Sequence, residues 1–292
     1  MLCTKVQFGV REVRKFLKKG KLFDDNFYSL DMLRINLKVS VEDIQSYLNS
    51  IKYDLRFQYR EMFSVAAYRH NFTVECENGH TFWIGLCPNS EKNTNKFRTV
   101  TVEFNPCKVG EELSFASNYQ KLLRLSKFPP SVKRFDLAID IPIDRDRCYL
   151  VKDQRTYQEY RNSNLDLTQY LGHRSSGGFV KLYNKAKELG ISDYGLTRFE
   201  ITIDYEYRFF DDVQALMPVV YVFDDYQLDI DITDTDRVLL LACLSNMDYL
   251  DMLGRKKRDK VKGILANSTL TLTLDEAKYS DILTQINEYL NV

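Results

Sequence analysis

YLGHRSSGGFVKLYNKAKELGISDYGLTRFEITID, residues 170–204, is the stretch on which the reading of this chain turns. It reads as strand, polar turn, strand, short helix, strand. In the middle strand Val180 and Leu182 alternate with Lys181, Tyr183 and Lys185. In the last one Phe199, Ile201 and Ile203 alternate with Arg198, Glu200, Thr202 and Asp204. Side chains alternate across a strand, so each set shares a face. One face is apolar, and the other carries residues able to do chemistry. A strand tyrosine is ordinarily a packing residue. Flanking cations change that, because they lower a phenol's pKa toward nucleophilic use and neutralise phosphate oxygens. Tyr183 between Lys181 and Lys185 is therefore the candidate nucleophile. Tyr157, Tyr160 and Tyr170 share its chemistry but lack this setting. The loop GHRSSGG offers Arg174, Ser175, Ser176 and a backbone able to cradle a phosphate with N–H groups, or it is a plain hairpin turn. It is not a Walker loop, whose G-x-x-x-x-G-K-[ST] spacing occurs nowhere in the chain.

Working outward, the same alternation recurs upstream. Leu33, Ile35 and Leu37 alternate with Arg34, Asn36 and Lys38. Ser40 then caps a helix over VEDIQSYLNSIK. NFTVEC and HTFWIGL form a hairpin around an ENG turn. FRTVTVEFNP and VKRFDLAIDIP are further strands, with an amphipathic helix, ASNYQKLLRLSKF, between them and ended by Pro129 and Pro130. Residues 153–163 read as helical. The expectation is an α+β fold: a mostly antiparallel, twisted sheet with helices packed on it. After about Tyr207 the pattern turns mainly helical, with Asp234 as a cap and the densest basic cluster at Arg255–Lys262. Three parts are expected: a basic helix or arm over 1–26, a catalytic domain over 27–206, and a C-terminal helical module over 207–292 that binds DNA or dimerises.

The 292 residues carry 41 basic and 41 acidic side chains, so any DNA-binding surface must come from segregated charge, not from net charge. The six cysteines are scattered, which fits reduced thiols and a cytoplasmic setting. The N-terminus lacks the apolar core of a signal peptide, and no membrane span is expected. His70, Cys76, His80 and Cys87 match no zinc spacing, and their expected role is packing. Hydrolase, zincin and kinase motifs are missing.

The carboxylates allow two readings. Asp136 and Asp140 share a strand face about 13 Å apart by strand rise. One ion cannot take both unless the strand bends. Either could join Glu200 or Glu103 from a neighbouring strand around a hard cation, Mg²⁺ or Mn²⁺. Alternatively they are ordinary polar-face residues paired with Arg134 and Arg198.

Taken in order, LDMLRINLKV, TVEFNP, RFDLAID, YLGHRSSGGFVKLYNKAKE and LTRFEITI resemble the replication initiation factor (Rep_trans-type) family. These are rolling-circle plasmid and phage initiators and related relaxases. The resemblance spans roughly residues 28–205. It implies an enzyme that nicks one DNA strand at an origin through a tyrosine and a divalent ion, leaving a 5′-phosphotyrosine and a free 3′-OH, and later rejoins the strand. It implies Tyr183 as nucleophile and Asp136, Asp140, Glu200 and Glu103 as the metal candidates. Lys181, Lys185, Arg174, Ser175 and Arg198 would contact the DNA, and Glu188 would orient a lysine or act as a base. Arg255, Lys256, Lys257 and Arg258 would add positive surface. A homodimer and a host helicase are the implied partners. Many family members carry an acid after the tyrosine, where this chain has Asn184. A conjugative relaxase with the same chemistry and a non-catalytic origin-binding regulator are the alternatives.

Overall fold

The computed structural model describes residues 27–59, 68–92, 94–161, 167–174, 176–191, 194–223, 232–245 and 248–291. The expected N-terminal arm and Ser175 lie outside the described residues. The long strand β1 (Phe27–Ser40) occupies the middle of the sheet. α1 (Val41–Ile51) follows it directly because the Ser40 hydroxyl accepts from the Asp43 N–H at 3.1 Å, capping the helix. The chain then moves to an edge. From there β2 (Phe57–Tyr59), β3 (Tyr68–Glu75), β4 (Thr81–Pro88) and β5 (Phe97–Phe104) step inward until β5 pairs with β1. After α2 (Pro106–Val109) and α3 (Leu113–Leu125), β6 (Ser131–Ile141) lies along the other side of β1.

The second half repeats this path. β7 (Cys148–Leu150) leaves the sheet. From the opposite edge β8 (Tyr157–Arg161), β9 (Leu167–Leu171), β10 (Val180–Asn184), α4 (Lys185–Glu188) and β11 (Thr197–Asp204) follow, until β11 pairs with β6. The result is a ten-stranded antiparallel sheet in the order β2-β3-β4-β5-β1-β6-β11-β10-β9-β8. Residues 153–163, expected to be helical, hold the edge strand β8. Tyr157, Glu159 and Arg161 alternate with Gln158 and Tyr160, but no face of YQEYR is apolar. Only pairing with β9 makes it a strand.

Beyond β11 come α5 (Phe210–Leu216), β12 (Val220–Phe223), α6 (Asp234–Ser245), α7 (Tyr249–Met252), α8 (Arg255–Ser268), β13 (Thr269–Thr271) and α9 (Glu276–Leu290). The region is mainly helical, yet β12 and β13 join β7 in a small sheet that the sequence pattern does not announce. α6 is capped by Thr233 and not by Asp234: the Thr233 hydroxyl accepts from the Asp236 N–H at 3.3 Å. Leu240, Cys243, Leu250, Val261, Ile264 and Leu265 close a second, smaller core. No helix among the described residues is long and apolar enough to cross a membrane.

The main core lies on one face of the large sheet. Leu33, Ile35, Leu37, Phe135, Leu137, Ile139, Phe199, Ile201, Ile203, Val180 and Leu182 are fully buried there. Phe115, Tyr119 and Leu122 of α3 and Tyr279, Ile282 and Ile286 of α9 join them. Phe104 packs against Phe115 and Tyr289 at centroid distances of 4.4 and 5.1 Å. The Tyr119 hydroxyl donates to the Tyr289 carbonyl at 2.7 Å, tying α3 to α9. Each such aliphatic or aromatic side chain contributes roughly 1.5–3 kcal/mol on burial. Because the apolar face is filled, the polar face is left for the site. Ile286→Ala should lower unfolding stability by about 2–5 kcal/mol in urea melts followed by circular dichroism. An unchanged midpoint would mean that α9 does not cover this sheet.

Candidate active site

Register decides which side chains meet. β10 pairs with β11 so that Lys181 stands opposite Glu200 and Tyr183 opposite Arg198. β11 pairs with β6 so that Arg198 stands opposite Asp140 and Thr202 opposite Asp136. Opposed residues share a face. All seven therefore project from the face opposite the apolar core.

Tyr183 is only 8% exposed, and its Oη donates to Glu200 Oε1 at 2.6 Å. Lys181 Nζ lies 3.7 Å from the centre of the Tyr183 ring and 3.7 Å from Glu200 Oε2. The ammonium thus sits over the ring face and not at the hydroxyl. The expectation that the lysines depress the phenol's pKa is corrected here. Burial, and after it the charge of Glu200, push the Tyr183 hydroxyl well above the ordinary phenol range. Burial also lifts Glu200, and the charge of Asp31 adds to the shift. A carboxylate disposed to take a proton is thus hydrogen-bonded to a phenol that holds one, which is the geometry of a base beside its nucleophile.

Lys185 is buried, with Nζ 2.8 Å from Glu188 Oε1 and 5.8 Å from the centre of the Tyr183 ring. Burial alone would raise Glu188, but hydrogen bonds from Lys185 and Tyr183 outweigh it and hold the carboxyl below its usual range. Asn184 serves the backbone, since its side chain accepts from the Lys187 N–H at 2.9 Å and caps α4.

The remaining carboxylates divide into those held by a guanidinium and those that are not. Arg198 grips Asp140 with two hydrogen bonds, of 2.6 and 2.7 Å, and reaches Asp31 at 2.9 Å. This lifts its own pKa: burial works against the charge, and Asp140 more than compensates. Glu103 is paired with Arg34 across β1 and β5. Asp136 has no such partner. Its Oδ1 is buried without a hydrogen bond, and burial pushes the carboxyl up to about 7, with the charges of Glu200 and Asp31 adding to the rise.

The loop before β10 is a turn whose amides are used internally. Gly172 and Gly178 adopt φ of 84° and 77°, which favours glycine. Ser176 N–H donates to His173 O, Gly177 N–H to Asp204 Oδ2, Gly178 N–H to Thr202 O and Phe179 N–H to Ser176 O. These four amides therefore offer no phosphate cradle. Arg174 is exposed and keeps its side chain toward solvent. Arg255, Lys256 and Lys257 are exposed at the start of α8, whereas Arg258 turns back onto the Asp251 and Leu253 carbonyls at 3.0 Å each.

The chain is 28% identical over 188 residues to a curated replication initiation protein of Staphylococcus aureus, and 27% identical over 183 residues to a second one. Over these stretches the chain is similar to two replication initiation proteins. These matches cover 59% and 58% of the chain, and the chain spans about half the length of those relatives, 56% and 54%. No protein-family model matches it. A solved rolling circle replication initiator protein from Geobacillus stearothermophilus aligns over 91% of the chain and 97% of its own at 14% identity. The TM-score of that alignment is 0.39.

The acidic residues of this face can be tested for their fit to a divalent ion. Among the described residues no three His, Cys, Asp or Glu side chains stand together as a ready-made metal cage. The donor chemistry nevertheless fits at Asp136, an orphaned buried carboxylate oxygen raised by two neighbouring carboxylates. One of those neighbours, Asp31, is absent from the sequence reading. A β-bulge between Leu30 and Met32 turns it toward Arg198. A signal for it exists in the chain. Leu30 and Leu33 are both fully buried although three residues apart, so a strict two-residue alternation must break between them.

Asp136 gives this face a pH signature. An unfolded aspartate titrates at its ordinary 3.8, whereas this one is pushed to about 7 in the fold. Between those values the folded chain keeps a proton that the unfolded chain has lost, so stability falls as pH rises through that window. At about 1.4 kcal/mol per unit the loss reaches up to ~4 kcal/mol. Asp136→Asn removes it. The variant should be stabilised relative to the parent at pH 8 and little changed at pH 4, in metal-free urea melts. Equal shifts at both pH values would show an ordinary carboxyl.

Proposed function

We propose that this chain initiates rolling-circle replication by nicking one strand of an origin with Tyr183. The observation that carries the reading is the 2.6 Å hydrogen bond from Tyr183 Oη to Glu200 Oε1, beside Lys181. Relatedness to replication initiation proteins supports it. Glu200 takes the Tyr183 proton as Oη attacks the phosphorus. The Oη–P bond forms and the P–O3′ bond breaks. The 3′ oxygen, protonated from solvent, leaves as a free 3′-OH for a polymerase, and the 5′ phosphate stays on the tyrosine. Lys181 moves from Glu200 to the phosphate as negative charge builds, and Lys185, 5.8 Å from the centre of the Tyr183 ring, adds positive charge nearby. Rejoining is the reverse. Asp136, with Asp31, would hold a divalent ion, Mg²⁺ or Mn²⁺, which when bound neutralises charge on the phosphate oxygens. In this reading Glu200 serves Tyr183 as its base before it serves any ion as ligand. Asp140 positions Arg198.

The neutral net charge places the DNA surface in local patches. Arg174 is exposed near Tyr170, and Arg255, Lys256 and Lys257 form an exposed cluster on α8. A homodimer and a helicase partner, acting in the cytoplasm, complete the proposal.

Incubation with single-stranded origin fragments and Mn²⁺ should give a covalent protein–DNA adduct, and mass spectrometry should place it on Tyr183. Tyr183→Phe should give none. Full nicking by Tyr183→Phe would move the nucleophile elsewhere, and a chain that binds origins without any adduct would be a regulator. Glu200→Gln should slow single-turnover nicking by roughly 10²–10⁴-fold. Replacing Arg255, Lys256 and Lys257 by Ala should weaken duplex binding and flatten its salt dependence by about 0.9 in log–log slope per lost contact. An unaltered slope would take α8 off the DNA.

A further inference from the structure

Beside Tyr183 the polar face changes character. Gln158 of β8 stands opposite Tyr170 of β9, and Tyr170 stands opposite Lys181 of β10. Tyr160, two residues along β8 from Gln158, and Phe179, two residues before Lys181, share this face. Three rings therefore run from the site toward the sheet edge. The Tyr170 and Phe179 rings are stacked, with centroids 5.8 Å apart and planes 20° apart. Tyr160 meets Tyr170 edge to face at 5.8 Å. Tyr170 and Phe179 are half-buried, but Tyr160 is 62% exposed.

The apolar core lies on the other face, so these rings are not needed to fill it. Two strand spacings of ~4.8 Å separate β10 from β8. That is about the length of three stacked nucleotides at ~3.4 Å each. Cations flank the row: Lys181 lies at its inner end, and Arg174 is close enough to act on the Tyr170 hydroxyl. Rings for bases beside cations for phosphates are the composition of a single-strand channel.

We propose that Tyr160, Tyr170 and Phe179 form a base-stacking platform that seats the single-stranded DNA flanking the phosphate attacked by Tyr183. The position of the DNA rests on the nicking reading, whereas the stacking can be measured without it. In this arrangement the exposed face of Tyr160 takes a base, and the edge-to-face contact with Tyr170 holds the Tyr160 ring in place. Because stacking reads no base edges, the platform is tolerant of sequence. It fixes where the strand lies, and it leaves the choice of origin to other parts of the chain.

The test uses the full chain carrying Tyr183→Phe, so that binding is read without chemistry. The probe is a single-stranded oligonucleotide with 2-aminopurine at each position in turn, followed by fluorescence quenching and anisotropy. One or two adjacent positions should quench. Tyr160→Leu should abolish that quenching and weaken binding roughly 5- to 150-fold, while Tyr160→Phe should retain both. An abasic site at the quenched position should cost the parent the same factor and cost Tyr160→Leu nothing further. Tyr160 is exposed, so these variants keep the fold, and Tyr170→Leu provides a second ring. Unchanged affinity and quenching in both leucine variants would overturn the platform. The adduct assay with Tyr183 intact is scored separately. Quenching that depends on Tyr160 without any adduct would retain the platform and remove the nicking reading, whereas an adduct without such quenching would do the opposite.

Discussion

One buried guanidinium binds three strands at once. Arg198 on β11 holds Asp140 on β6 with two hydrogen bonds and Asp31 on β1 with a third. Only 9% of Arg198 is exposed, so its charge must be matched inside the protein. Buried ion pairs add little net stability over apolar packing, but leaving one partner alone costs roughly 3–5 kcal/mol. The clamp is therefore better understood as a lock on register than as glue. A one-residue slip of β11 against β6 would turn Arg198 into the apolar face and Phe199 out of it. With that register held, Asp136 falls opposite Thr202, and the charge of Arg134 offsets only part of the rise that burial imposes on it.

The same clamp divides the acidic residues by what they are free to do. Asp140 and Glu103 face guanidinium groups and are satisfied. Asp136 has an orphaned oxygen, and Glu200 is held by the Tyr183 hydroxyl and Lys181 in place of a guanidinium; burial raises both. Sites that do acid, base or metal chemistry keep such raised, buried carboxylates, and a fold selected only for stability would remove them. Tyr183 fits this pattern, since its high pKa keeps it a neutral phenol until something draws Glu200's proton affinity into use.

What the chain's letters disclose is the part governed by alternation. VKLYN, TRFEITID and RFDLAID each put apolar and reactive residues on opposite faces, and the structure keeps those strand assignments; Lys185, read with the strand, opens α4 instead. What they conceal depends on partners far away in sequence. YQEYR has no apolar stripe, and only β9 makes it a strand. Asp31 owes its position to a bulge. Lys181 looks like a cation for the Tyr183 hydroxyl, but only the folded side-chain geometry shows that it covers the ring. The loop GHRSSGG promises free amides, and hydrogen bonds to Thr202 and Asp204 use them.

The path of the chain also has a consequence for how the protein is made. In each half a long central strand comes first, and its neighbour arrives only after an excursion to the edge. Leu33 of β1 waits for Phe104, and Phe135 of β6 waits for Ile203. The Tyr28 hydroxyl at the start of β1 reaches the Thr273 carbonyl, 245 residues on, just before the helix that covers this strand. Contacts this distant make folding slow, because the loop must close before any pairing rewards it. On the ribosome, β1 emerges before β5, α3 and β6, and the part of its apolar face that α9 covers stays bare until the end of the chain is made. The protein's most exposed moment is its own birth, when an uncovered central strand offers neighbouring chains a template for mispairing.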